Sequence, residues 1–140
     1  MSLPKRATRD GGPSATFSGY ADHRIAHGMD ADEVQWLIRE YGESAAIALG
    51  ELCDPTPSHQ RHSEALWRYV QQGKDQQARA FCLIAAARIG GEFNRTALLA
   101  RLRTATTIGR PWAALALGVM AHVERQHAVV LEQHQRVVGD

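Results

Sequence analysis

The chain has 140 residues, with 16 basic and 15 acidic side chains, a formal net charge of +1 and 44% hydrophobic residues. That length suits one domain with a real core. The charge divides only mildly, −3 on residues 1–70 and +4 on residues 71–140, which does not by itself mark a nucleic-acid binder. No run approaches the roughly 20 apolar residues that span a bilayer, and the N-terminus lacks a signal-peptide hydrophobic region. A soluble, cytoplasmic protein is therefore expected. The two cysteines, Cys53 and Cys82, lack zinc-ligand spacing and read as small buried hydrophobes.

In chain order, residues 1–29 are expected to be a poorly structured lead-in, because the Gly-Gly-Pro-Ser run at 11–14 breaks structure and no apolar period follows it. A helix is predicted over about 31–40: Asp30 with Glu33 forms a capping box, and Val34, Leu37, Ile38 and Tyr41 make its apolar stripe. Gly42 breaks it, and a second helix runs over about 43–53. Residues 54–58 (Asp-Pro-Thr-Pro-Ser) are the clearest break in the chain. A third helix follows over about 59–71, with Leu66, Trp67 and Val70 turned inward. Asp75 caps a fourth, which the pair Gly90-Gly91 closes. A fifth, capped by Asn94 or Thr96, runs to about 104 through Leu98, Leu99 and Leu102. After a turn at 106–109, Pro111 opens a sixth at its first position. No breaker occurs between Trp112 and Val138. That span is either one long helix or a helix that turns near His122 and Val123 into a partial fourth pair.

The stretch 75–91 is the one the chain is organised around, since Ala78, Ala80, Cys82, Ala85, Ala86 and Ala87 leave room for close neighbours. It recurs loosely at 41–54 and 109–122. Gly50, Ala87 and Gly118 then fall in register, 37 and 31 residues apart, as do Ala48, Ala85 and Ala116. This is the spacing range of helical solenoids. Ala85 is expected to face the preceding helix of its own pair. Ile47, Ile84 and Leu115 lie opposite the alanine stripe, which predicts second helices buried on most sides.

The middle stretch resembles a HEAT repeat of the short bacterial, lyase-like type. Asp75, Arg79, Ala85 and Ile89-Gly90 match that family's second helix, while Ala86-Ala87 stands where Leu-Gly is usual. The first copy keeps Leu49-Gly50 but has Ile38 and Gly42 where Asp and Arg are usual. The third keeps Arg110 and Leu117-Gly118, with Thr106 in place of Asp. The resemblance covers about 30–125 and implies an all-α, armadillo-like superhelix of about three HEAT-like pairs. The expected units are 30–54, 58–91, 94–122 and a C-terminal helix to 138. It also implies a non-catalytic scaffold that binds another protein, and it leaves two further expectations open: self-association through the array ends, and a place as a fragment of a longer array.

Chemistry is sparse. Some HEAT-type hydroxylases hold two irons with His-Glu dipeptides, and none of the seven histidines here is followed by Glu. His23/His27, His59/His62 and His122/His127 have chelating spacing, but they read as surface side chains. No cofactor, metal or catalytic residue is expected. Between Glu92 and Glu124 there is no acidic residue, while Arg95, Arg101, Arg103 and Arg110 all fall there. That interval is the basis of the alternative, nucleic-acid or phosphate binding, as in HEAT-like DNA glycosylases. A HEAT-like lyase is the remaining alternative. For protein binding, the expected surface is lined by Glu51, Arg88 and Val119, which share one repeat position. Ser44, Phe81 and Trp112 lie on the same flank, with the two aromatics as anchors.

Overall fold

The computed structural model describes residues 29–138. It is all-helical, with six α-helices and no strand among the described residues. These are α1 (Ala31–Tyr41), α2 (Glu43–Leu52), α3 (Gln60–Gln72), α4 (Gln76–Ile89), α5 (Gly91–Thr104) and α6 (Arg110–Val138), with a short 3-10 turn at Pro57–His59. The expected lead-in lies outside the described residues except at its last position. Met29 is fully buried and belongs to the folded unit.

Local chemistry sets the helix starts. The Glu33 N–H donates to Asp30 Oδ1 at 2.8 Å and the Asp30 N–H to Glu33 Oε1 at 3.4 Å, completing a capping box on α1. Asp75 Oδ1 accepts from the N–H groups of Gln77 and Ala78 at 2.9 and 3.2 Å, satisfying two otherwise orphaned donors of α4. The end of α4 departs from expectation. Gly90 and Gly91 do not open a loop before a helix capped by Asn94 or Thr96. Their φ angles of 76° and 88° turn the chain so sharply that α5 begins at Gly91. Pro111 sits second in α6, after Arg110. That helix is a single unbroken element, so no fourth pair begins at His122.

Asn94 does a different job from capping. It is buried inside α5, and its Oδ1 accepts from Trp67 Nε1 at 2.8 Å. Its Nδ2 donates to Ser63 Oγ at 3.1 Å and to the Gly90 carbonyl at 2.9 Å. This network ties α3 to α5, and leaving any one of those buried groups unpaired would cost about 1–3 kcal/mol. Two similar polar ties exist. Gln35 Nε2 donates to the Ala65 carbonyl at 2.7 Å, joining α1 to α3, and Arg79 Nε donates to the Val70 carbonyl at 2.7 Å, joining α4 to the end of α3.

The core is built around α4, which packs substantially against α2, α3, α5 and α6. Its alanines 78, 85, 86 and 87, with Cys82, Leu83 and Ile89, are all buried. Further substantial contacts join α1 to α2 and α3, and α5 to α6, whereas α1 and α6 make none. Ala85 does not serve the expected role against α3. It faces α2, where a Cβ placed on Gly50 would lie 3.0 Å from the Ala85 Cα and 3.2 Å from its Cβ. A glycine there is what lets the two helices approach so closely. Gly118, the residue in register with Gly50 on α6, would meet nothing within 4 Å. Both cysteines are buried and free, and burial pushes their thiols up to about 12, with the charge of Asp54 adding to the effect at Cys53. Neither is a nucleophile at neutral pH.

This asymmetry is testable. Replacing a helical glycine by alanine gains about 1 kcal/mol of helix propensity, so Gly118→Ala should raise the thermal midpoint. Gly50→Ala must separate α2 from α4, and overpacking of that kind costs about 1–3 kcal/mol, so it should lower the midpoint. Calorimetric melts of the two variants check the pair.

His62 is buried in α3, and among the described residues neither ring nitrogen has a well-aligned hydrogen-bond partner, although backbone groups of His59 and Met29 lie near. Its pKa is lowered from 6.5, first by burial and then by the nearby charges of His59 and Arg61, with backbone groups of His59 and Met29 opposing weakly. The folded state keeps the ring neutral, while the unfolded chain takes up the proton at the ordinary value. The resulting stability is fully present above 6.5 and is lost as pH falls from there toward the lowered folded pKa. Asp54, whose pKa is lowered chiefly by its hydrogen bond from Thr56, acts in a separate window below its ordinary 3.8. The thermal midpoint should therefore fall between about pH 7 and pH 5, and the fall should be much smaller in His62→Leu. Parallel melts of wild type and variant across that range check it.

Candidate functional site

The orientation of α4 decides which side chains are left open. Ala78 and Ala85 turn toward α2, where they oppose Gly42 and Gly50. Ala80 and Leu83 turn toward α6, lining a cleft with Trp112. Arg79 reaches α3. Phe81, Ile84 and Arg88, spaced three and four apart, then occupy the remaining side, away from α3. The corresponding residues are Ser44, Ile47 and Glu51 on α2, and Trp112, Leu115 and Val119 on α6. Since α2, α4 and α6 pack in succession, these nine positions make one face across three helices.

On that face Ser44, Glu51, Arg88 and Trp112 are exposed, while Phe81 and Val119 are half-buried and packed against the core. The aromatic pair thus splits: Phe81 fills the seam, and Trp112 is 41% exposed. The middle row departs most from expectation. Ile47 is 47% and Leu115 53% exposed, with Ile84 half-buried between them. Among the described residues the second helices are therefore not covered all round, because no described element packs on the side opposite α3. Sequence reasoning counted these residues as core. Their repetition at one register position was the available signal for a shared surface.

At one edge of the face an open cleft of about 430 Å³ runs between α4, α5 and the start of α6. Its lining includes Gln76, Arg79, Arg101, Ile108 and Trp112. Among the described residues Arg79 and Arg101, rather than Arg88, are the cations that share a cleft with Trp112, and no described carboxylate lines it. Ile108 is largely exposed at the rim. The chemistry on offer is two guanidinium groups beside an indole and aliphatic surface, which suits a carboxylate attached to an apolar group.

The four arginines of the acid-free interval differ in their surroundings. Arg95 pairs with Glu124 and, at 4.0 Å, with Glu92, the two acids that bound the interval. Glu124 raises the Arg95 pKa, which keeps the pair ionised. Arg110 donates to the Ala105 carbonyl at 3.4 Å. Arg101 lies in the cleft, and Arg103 is exposed. Among the histidine pairs, His59 and His62 stack edge-to-face with centroids 5.2 Å apart and His62 buried. His122 and His127 are exposed on α6, and His23 and His27 lie outside the described residues. Among the described residues no three His, Cys, Asp or Glu side chains gather as metal ligands, and no helix is long and apolar enough to cross a membrane. Comparison with protein-family models, with curated proteins and with solved structures gives no match.

Proposed function

We propose that this chain is a non-catalytic binding module built of three HEAT-like helix pairs, α1–α2, α3–α4 and α5–α6, in an open superhelix. The succession of α2, α4 and α6, and the lack of substantial contact between α1 and α6, support an open array over a closed bundle. Its ligand is a segment of another protein laid across the face of α2, α4 and α6.

The observation that carries this reading is the row Ile47, Ile84 and Leu115. It presents one apolar side chain per helix on adjacent helices, with Trp112 beside it. Contiguous apolar surface of that kind marks an interaction site, whereas scattered single residues do not. The cleft at its edge adds direction: a carboxylate of the bound segment meets Arg79 and Arg101, and its apolar neighbour meets Trp112 and Ile108.

Panning a displayed random-peptide library on the full chain tests this. Recovered peptides should pair apolar residues with an acidic one. Leu115→Glu should weaken their binding about tenfold or more and leave the melt unchanged, and Arg101→Glu should remove the acidic preference. Peptides indifferent to Leu115→Glu would contradict the proposed face. Tight oligonucleotide binding that falls steeply with salt and ignores Leu115→Glu would favour the nucleic-acid reading instead.

A further inference from the structure

Helix α6 carries a second pattern that the face above does not use. Ala113, Ala116 and Met120 are its buried residues, and they seat it against the body. Val123 is half-buried, and from Arg125 onward every described residue is exposed. The stripe that starts at Ala113 nevertheless continues without a break. In a heptad frame Ala113, Met120, His127 and His134 occupy a positions, and Ala116, Val123, Val130 and Val137 occupy d positions. The alternation of three and four residues is the 3.5-residue period of a coiled-coil seam. Leu131 and Val138 widen the stripe at e, and Gln126 and Gln133 stand at g.

The charges of this span are sorted to the other side. Arg125 and Glu132 are at f and Arg136 at c, with Arg136 Nη2 donating to Glu132 Oε1 at 3.1 Å along the outer face. A helix that merely projected into water would gain nothing from confining its charges away from one stripe. Here they are absent from a, d, e and g between Gln126 and Val138, where a second helix would lie. Because no Lys, Arg, Asp or Glu stands at these positions, they do not reject an identical helix, and the seam is self-complementary.

We infer that the outer part of α6, from Gln126 to Val138, pairs antiparallel with the same segment of a second copy of this chain. The direction follows from the body. It already lies on the a/d stripe upstream of Val123, where a parallel partner helix would have to pass. In an antiparallel pair the second body lies toward the Val138 end of the helix, away from the first body's seat at Ala113, Ala116 and Met120. The layers then oppose His127 to Val137 of the other copy and Val130 to His134, with Leu131 beside the two-fold axis. The paired segment is about 20 Å long at 1.5 Å per residue, and that limited reach points to a reversible dimer with an affinity near the micromolar range.

Sedimentation equilibrium of the full chain at about 10–200 μM tests it. Wild type should be a concentration-dependent dimer. Val130→Glu should be monomeric with an unchanged circular-dichroism melt. The double variant His127→Leu, His134→Leu should tighten the dimer about tenfold or more, since it makes the seam fully apolar. For direction, oxidised Leu131→Cys should cross-link two copies while Val137→Cys should not; the native cysteines are buried. A wild-type monomer throughout the range overturns the inference, as does a dimer that survives Val130→Glu. Cross-linking through Val137→Cys alone overturns the antiparallel arrangement.

Discussion

The close approach of α2 to α4 at Gly50 and Ala85 is the constraint on which the rest of the molecule depends. A helix can touch several others only where its surface is small, and α4 is small on most sides. Ala78 and Ala85 serve α2, and Ala80 and Leu83 serve the side toward α6. Its polar first turn is capped by Asp75, and Arg79 fastens it to the end of α3. The large side chains that fill the core come mainly from the helices around it: Leu37, Ile38, Leu49, Leu66 and Leu98 are fully buried. Each such burial contributes about 1.5–3 kcal/mol, and Leu49, Leu66 and Leu98 stand on helices that pack directly on α4.

The same constraint produces the surface. Because α4 takes α2 on one side and α6 on the other, with α3 and α5 also packed on it, its fourth side is left open among the described residues. Whatever stands at that position on the three successive helices is presented in a row. The row is apolar in the middle and charged toward Glu51 and Arg88. Polar ties keep the helices behind it from sliding. Asn94 holds α3 to α5, Gln35 holds α1 to α3, and the Arg95–Glu124 ion pair joins α5 to α6. The three-helix face is therefore carried on elements fixed from behind, which suits binding without rearrangement.

Much of this was legible in the sequence, and the parts that were not share a cause. Helix starts at Asp30 and Asp75 were readable because capping is decided within four residues. The small stripe of α4 was readable because helical period alone puts those residues together. Asn94 was misread as a cap because its partners, Trp67 and Ser63, lie 27 and 31 residues away. Leu99 reads as core by period, yet it is exposed because no element covers that side of α5. Ile47 and Leu115 fail for the same reason: an apolar helix signals burial only if a neighbour exists, and neighbours are not encoded locally. The cleft arginine Arg79 was identified only as a matching repeat position. In the basic interval Glu124 folds back onto Arg95, a pairing across 29 residues that the sequence does not display.

Native-state hydrogen–deuterium exchange, resolved by residue, measures this organisation most directly. If α4 is the element on which the others depend, the amides of its central turns, Cys82 through Ala87, open only when the whole domain unfolds. Their exchange free energies should then equal the global unfolding free energy and be the highest in the chain. Slower exchange in α1 or α3, with α4 opening through a smaller local fluctuation, would contradict it.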